Sequence, residues 1–159
     1  MDVQNLWTGE DMNSTQIFAA QDELGGLIKS MNGDQQRRFI VESLSECVGN
    51  DEPIFRDALN LCKQYINHEN VDLEPMTEAA YTEFRAISKS EGLMSIYPDQ
   101  PTVYRFRKMY AAYKMCTDML SNDPYGRAMA AIARNEAAGL SLHHQILIAR
   151  RIHEMPTLP

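Results

Sequence analysis

The segment PTVYRFRKMYAAYKMCTDMLSNDPYGRAMAAIARNEAAG, residues 101–139, decides the fold. It reads as two helices folded back on each other through Ser121-Asn122-Asp123-Pro124. Val103, Phe106, Tyr110, Tyr113, Thr117 and Leu120 recur at three- and four-residue spacing, which is one stripe of a helix. Met109, Ala112, Cys116 and Met119 form a second stripe beside it. Two adjacent stripes are too broad for a helix with a half-wet face, so other helices should pack around this one. Its narrow outer face is then Tyr104, Lys108, Ala111, Lys114 and Asp118, with Arg107 flanking it and Met115 at its rim.

Upstream, the same three-to-four spacing recurs. A helix from Ser14 or Thr15 to Met31 places Ile17, Ala20, Leu24 and Ile28 on one side, and the pair Gly25-Gly26 predicts a kink within it. Asn32-Gly33-Asp34 ends that helix and starts a second, about 34–48. Gly49-Asn50-Asp51-Glu52-Pro53 is a stop followed by a start, so a third helix covers about 52–68. A fourth covers about 76–90. The stretch EGLMSIYPDQP, 91–101, reads as a loop whose Leu93, Met94, Ile96 and Tyr97 should pack it down. Beyond the central pair, Gly139 is a stop and Ser141 caps a last helix, about 141–154. No segment alternates with period two. The expected fold is all-α: a single-domain bundle of about six to seven helices, spanning 15–159, built from antiparallel helical hairpins. Residues 1–14 read as an extended N-terminal arm that Leu6 and Trp7 would pin. A faint echo between 37–62 and 107–132 makes the two hairpins resemble each other.

The chain of 159 residues is long enough to bury a core. No apolar run has the length of a membrane span, and the N-terminal MDVQNLWTGEDMN is not a secretory or transit sequence. A soluble cytoplasmic protein that binds no membrane is the expectation. Cys47, Cys62 and Cys116 contain no CxxC pair. Cys47 and Cys62 sit on hairpin partners, about 10 Å out of register, so no disulfide should join them.

The net charge of −7 is unevenly spread. Residues 1–100 carry 7 Lys and Arg against 18 Asp and Glu, a balance of −11, whereas 101–159 carry 8 against 4, a balance of +4. Either the acidic part 15–100 and the basic part 101–159 neutralise each other within the fold, or the basic part meets an anionic partner. Arg105, Arg107, Lys108 and Lys114 on the first helix of the pair, with Arg127 and Arg134 seven apart on the second, could form two rows of cations for a phosphate backbone.

Chemistry motifs are missing. There is no phosphate-cradling glycine loop, GxSxG, HExxH or pair of Glu-x-x-His. His143-His144 are adjacent and point about 100° apart on a helix, which does not suit one metal. Cys116 on an apolar stripe reads as structural. No catalytic residue, metal or cofactor is therefore expected. Ten methionines, clustered on the central pair, suit an adaptable protein-binding surface as well as an irregular core. The reading that follows is a non-catalytic protein–protein interaction protein: an adaptor, a regulator or an assembly subunit. Its partner is another protein, or a second copy in a head-to-tail or symmetric oligomer. The alternative is a nucleic-acid-associated accessory factor. The expected contact residues are Trp7, Arg105, Arg107, Lys108, Lys114, Met115, Arg127 and Arg134.

Overall fold

A computed structural model describes residues 13–49 and 52–155. It is all-α, with eight helices and no strand among the described residues. They are α1 (Ser14–Ser30), α2 (Gly33–Val48), α3 (Pro53–Ile66), α4 (Glu74–Ser88), α5 (Glu91–Met94), α6 (Gln100–Met119), α7 (Pro124–Ala137) and α8 (Leu142–His153). The expectation of six to seven helices is exceeded by the single turn α5. The extended arm and Trp7 lie outside the described residues.

The boundaries follow capping chemistry. Asn13 and Asn32 each accept a bond from the backbone N–H three residues on, and Gln16 and Gln35 reach back to complete two capping boxes. Asn32 therefore opens α2, in the role expected of Asp34. Pro53 and Pro124 begin α3 and α7, where a missing N–H costs nothing. Asp99, Asp123 and Ser141 cap α6, α7 and α8. No break occurs at Gly25-Gly26: α1 is one helix from Ser14 to Ser30. α7 packs beside this point, and a Cβ at residue 25 would meet the Met129 methyl at 3.4 Å, an ordinary contact.

One cluster of buried side chains runs through the seven long helices. Two helices are central. α6 packs on α2, α3, α4, α5 and α7, and α2 packs on α3, α6, α7 and α8. The α2–α3 and α6–α7 hairpins thus pack on each other, but α6 lies most extensively against α4, and α7 against α2. α1 and α8 close the far side. Buried amides pin the last turn of the chain: Gln145 accepts from the Asn135 side chain at 3.1 Å and donates to the Ile132 and Leu140 carbonyls, both at 3.3 Å.

The face of α6 turned inward differs from expectation. Met109, Ala112, Cys116 and Met119 are buried as predicted, but Ala111, Met115 and Asp118 are buried too. Tyr110 and Leu120 of the first stripe are exposed instead, and Val103, Phe106, Tyr113 and Thr117 are half-buried. The buried arc is displaced toward Met115 because α7 covers the flank that carries Asp118, where Arg134 neutralises the acid.

Candidate functional site

The cations nominated from the sequence are mostly engaged within the chain. Arg105 holds Glu52 through Nε and Nη2, at 2.8–3.2 Å, and bonds Glu83 at 2.9 Å. The Glu52 bond is the chief cause that raises the already high pKa of this guanidinium. Arg134, only 10% exposed, donates to Asp118 at 2.7 Å. Arg127 lies 3.7 Å from the other Asp118 oxygen and donates to the Ser121 hydroxyl at 3.3 Å. The two arginines that were to line up on a phosphate backbone therefore converge on one buried carboxylate. Arg150 pairs with Glu23, and Arg151 lies 3.6 Å from Glu42. Arg105, Arg150 and Arg151 all reach from the basic part of the chain to the acidic part. Three of the eight C-terminal cations thus neutralise N-terminal acids inside one molecule.

What remains on α6 is a smaller set. Arg107 is exposed, bonds the Ala137 carbonyl at 3.4 Å and lies 5.7 Å from the Tyr104 ring centroid. Lys108 and Lys114 are half-buried and form no ion pair among the described residues. Met115 was expected at the rim and is 0% exposed, so it belongs to the core. The outward side of α6 carries Arg107, Tyr110 and Lys114. Across from Tyr110 stands α4, where Phe84 sits 5.1 Å from Phe106 and 5.4 Å from Tyr110, and Tyr81 sits 5.2 Å from Tyr113.

Among the described residues, the most exposed apolar group lies elsewhere, in the segment expected to pack down. Met94, Ile96 and Tyr97 are 72, 89 and 88% exposed. The aromatic cluster fills the α4–α6 contact with side chains of those two helices, and Met94, Ile96 and Tyr97 stay outside it. The frame of this segment is nevertheless tightly bonded. The Asp99 N–H donates to the Gly92 carbonyl at 3.0 Å, closing a loop from 92 to 99. The Met94 N–H bonds the Ser90 carbonyl at 2.9 Å, and the Ser90 hydroxyl bonds the Ile87 carbonyl at 2.7 Å. Asp99 also accepts from the Thr102 hydroxyl at 2.6 Å. Glycine is needed at 92, because a Cβ there would stand 2.9 Å from that hydroxyl. A braced loop thus presents Met94, Ile96 and Tyr97 to solvent.

Among the described residues, concavities lie between α3 and α4, between α4 and the start of α6, and at the end of α3. Ala86, Ile87, Pro101 and Arg105 line the second of these, a hollow of about 410 Å³. A groove of about 660 Å³ runs between α3 and the start of α4. Ile54, Leu61, Pro75, Met76 and Ala79 supply apolar walls, and Asp57, Asn60 and Asp72 supply polar ones. A smaller, polar hollow of about 320 Å³ lies at the end of α3. There His68, in the left-handed region at φ 62°, meets Asp34 at 2.9 Å. Its lining includes Arg37, Tyr65 and Glu69 but no Ser, Thr or Cys to act as a nucleophile.

The thiols show one pairing that spacing did not suggest. Cys62 and Cys116, both fully buried, meet across the α3–α6 contact, beside Thr77 of α4. The hydrogen bond with Cys116, together with burial, pushes the Cys62 thiol far up. Cys47 is pushed up to about 11 by burial, with Lys108 opposing and Glu46 adding. Burial raises Glu136 and lowers His143, the latter helped by His144 and Arg150. All three cysteines are free thiols. No group of three potential metal ligands occurs, and no helix is long and apolar enough to cross a membrane, among the described residues.

Compared with protein-family models, with curated proteins and with solved structures, the chain matches none.

Proposed function

We propose that this protein acts by binding another protein, without catalysis, as an adaptor, a regulator or a subunit of an assembly, and that the 92–99 loop is its anchor. One observation carries the reading. Among the described residues, the three most exposed large apolar side chains fall within four consecutive positions, on a loop braced by backbone bonds at both ends. Scattered exposed apolar residues are normal, but a contiguous group on a rigid frame is what an interface anchor needs. Bracing lowers the entropy lost on binding, because the loop is ordered before its partner arrives. Tyr97 suits such a role, with a large ring and a hydroxyl that can bond at an interface.

The nucleic-acid alternative rests on fewer cations than the sequence promised. With Arg105, Arg127 and Arg134 engaged by carboxylates, it keeps Arg107, Lys108 and Lys114. Three phosphate contacts give a salt slope of only about −2 to −3.

Photo-crosslinking tests the leading reading. A benzophenone side chain placed at residue 96, in the chain expressed in its native source, should give one discrete adduct. The same probe at Asp22, an exposed residue of α1, should give none. No adduct from residue 96, or equal yields from both sites, contradicts the proposal.

A further inference from the structure

The 92–99 loop and the hollow between α4 and the start of α6 adjoin. Ser90 and Thr102 line the hollow, and both also brace the loop. The Ser90 carbonyl accepts from the Met94 N–H at one end, and the Thr102 hydroxyl donates to Asp99 at the other. A recess of about 410 Å³ therefore lies at the base of the projection that carries Met94, Ile96 and Tyr97. Ala86, Ile87 and Pro101 give it apolar walls, and Glu83 and Arg105 give it a charged end.

Carboxylates are in excess at this place. Arg105 is shared between Glu83 and Glu52, at 2.9 and 2.8 Å, so these three groups leave one negative charge over. On the loop, Asp99 caps α6 and Glu91 is exposed, and the cation at the loop's base is Lys89. Hollow and loop together thus join exposed apolar side chains and an apolar recess to four carboxylates against two cations.

We infer that loop and hollow form one docking surface, and that the partner segment it takes is apolar and basic: a large apolar side chain with Lys or Arg beside it. This rests on the reading that the loop is a binding anchor, and it states the partner's chemistry. The apolar side chain enters the hollow against Ala86, Ile87 and Pro101. The neighbouring Lys or Arg lays its stem along the exposed apolar side chains of the loop and brings its charge to Glu91 or Glu83. An acidic segment would meet the same carboxylates unfavourably, so the sign of charge selects the partner. The same sign argues against the remainder of this chain as the occupant. Residues 1–12, 50–51 and 156–159, outside the described part, contain no Lys or Arg, while Asp2, Glu10, Asp11 and Asp51 are acids.

Fluorescence anisotropy of two labelled model peptides, titrated with the full chain, tests the proposal. One is built of Leu and Lys with its leucines at three- and four-residue spacing, and the other has Glu in place of every Lys. The Leu–Lys peptide should bind with a Kd of roughly 10 µM to 1 mM, as suits a small contact. The Leu–Glu peptide should bind at least about tenfold more weakly. Glu91→Gln with Ile96→Ser, on the loop, and Ala86→Lys, in the hollow, should each weaken the Leu–Lys peptide by about fivefold or more. Asp57→Asn with Asp72→Asn removes two carboxylates elsewhere, in the α3–α4 groove, and should change its binding by less than about twofold. All five positions are exposed, so folding should survive. Equal binding of the two peptides, a groove variant as damaging as the loop variant, or an Ala86→Lys chain that binds like wild type overturns the proposal. Sedimentation of the wild-type chain alone should give a monomer. Self-association that Ile96→Ser abolishes would put a second copy on this surface and overturns it too. Failure of the Leu–Lys peptide to bind also overturns it: a persisting residue-96 crosslink to another protein then leaves the anchor reading standing, and absence of that crosslink removes both.

Discussion

Met109 and Tyr110 are neighbours in sequence and opposites in environment. Met109 is fully buried, whereas Tyr110 is 38% exposed and leans on Phe84. Met109→Ala should cost about 2–5 kcal/mol, and Tyr110→Ala only about 1–2 kcal/mol, read as the shift in a urea midpoint at constant slope. Equal costs would mean that α6 is rotated from the orientation described. The Asp118–Arg134 pair makes a second test at this scale. Asp118 is completely buried, and its Oδ1 has no hydrogen bond. Arg134→Met removes the hydrogen-bonded partner of a buried carboxylate, leaving only Arg127 at 3.7 Å, and should cost up to about 3–5 kcal/mol. Adding Asp118→Leu should recover most of that loss, because a buried pair replaced by apolar groups of similar size is often neutral. A double variant as unstable as the single one contradicts this account. Residue chemistry also misled the sequence reading here. An aspartate between apolar stripes looks like a marker of the wet face, and only the approach of Arg134 from another helix reverses that.

At the scale of the element, helix starts and stops were the most legible feature, because caps are local. Proline at 53 and 124 and Ser141 act within four residues of their helix, whereas the caps Asn13 and Asn32 stand one and two positions before the residues the sequence pointed to. The propensity penalty at Gly25-Gly26 does not break α1, which packs there against α7. Nothing lies within 4 Å of a Cβ added at Gly26, and its backbone is helical. Gly26→Ala should therefore stabilise the chain by about 0.5–1 kcal/mol and raise the melting temperature by about 2–4 °C. A fall in melting temperature would show that α1 needs flexibility at that point. The 91–101 segment was misread. Apolar residues usually pack down, but whether they can depends on free apolar surface nearby. Here Phe84, Phe106, Tyr110 and Tyr113 fill the α4–α6 contact among themselves.

For the whole molecule, the charge asymmetry was visible in the sequence, but its destination was not. Pairing of Arg105 with Glu52 and Glu83, Arg150 with Glu23, and Arg151 with Glu42 joins residues 22–127 positions apart, beyond what periodicity can register. Much of the basic half is thereby spent on holding the bundle together. The same holds for Cys62 and Cys116, which meet only because α3 and α6 cross. Of the nominated contact residues, Met115 is core and Trp7 lies outside the described residues. Arg107, Lys108 and Lys114 remain as cations without a carboxylate partner among the described residues. The residues now favoured, Met94, Ile96 and Tyr97, were legible as apolar but not as exposed.

The central claim is that this loop holds a protein partner and does little for the fold. Ile96→Asp with Tyr97→Asp separates the two roles. The most direct measurement is the apparent mass of the chain purified gently from its native source, by size exclusion with light scattering, with the melting temperature of each form measured alongside. The account predicts that the wild-type chain elutes in a complex heavier than its 18.1 kDa and that the variant elutes as a monomer. It also predicts melting temperatures within about 2 °C of each other. A variant that keeps the wild-type mass, or one that loses it by unfolding, contradicts the claim.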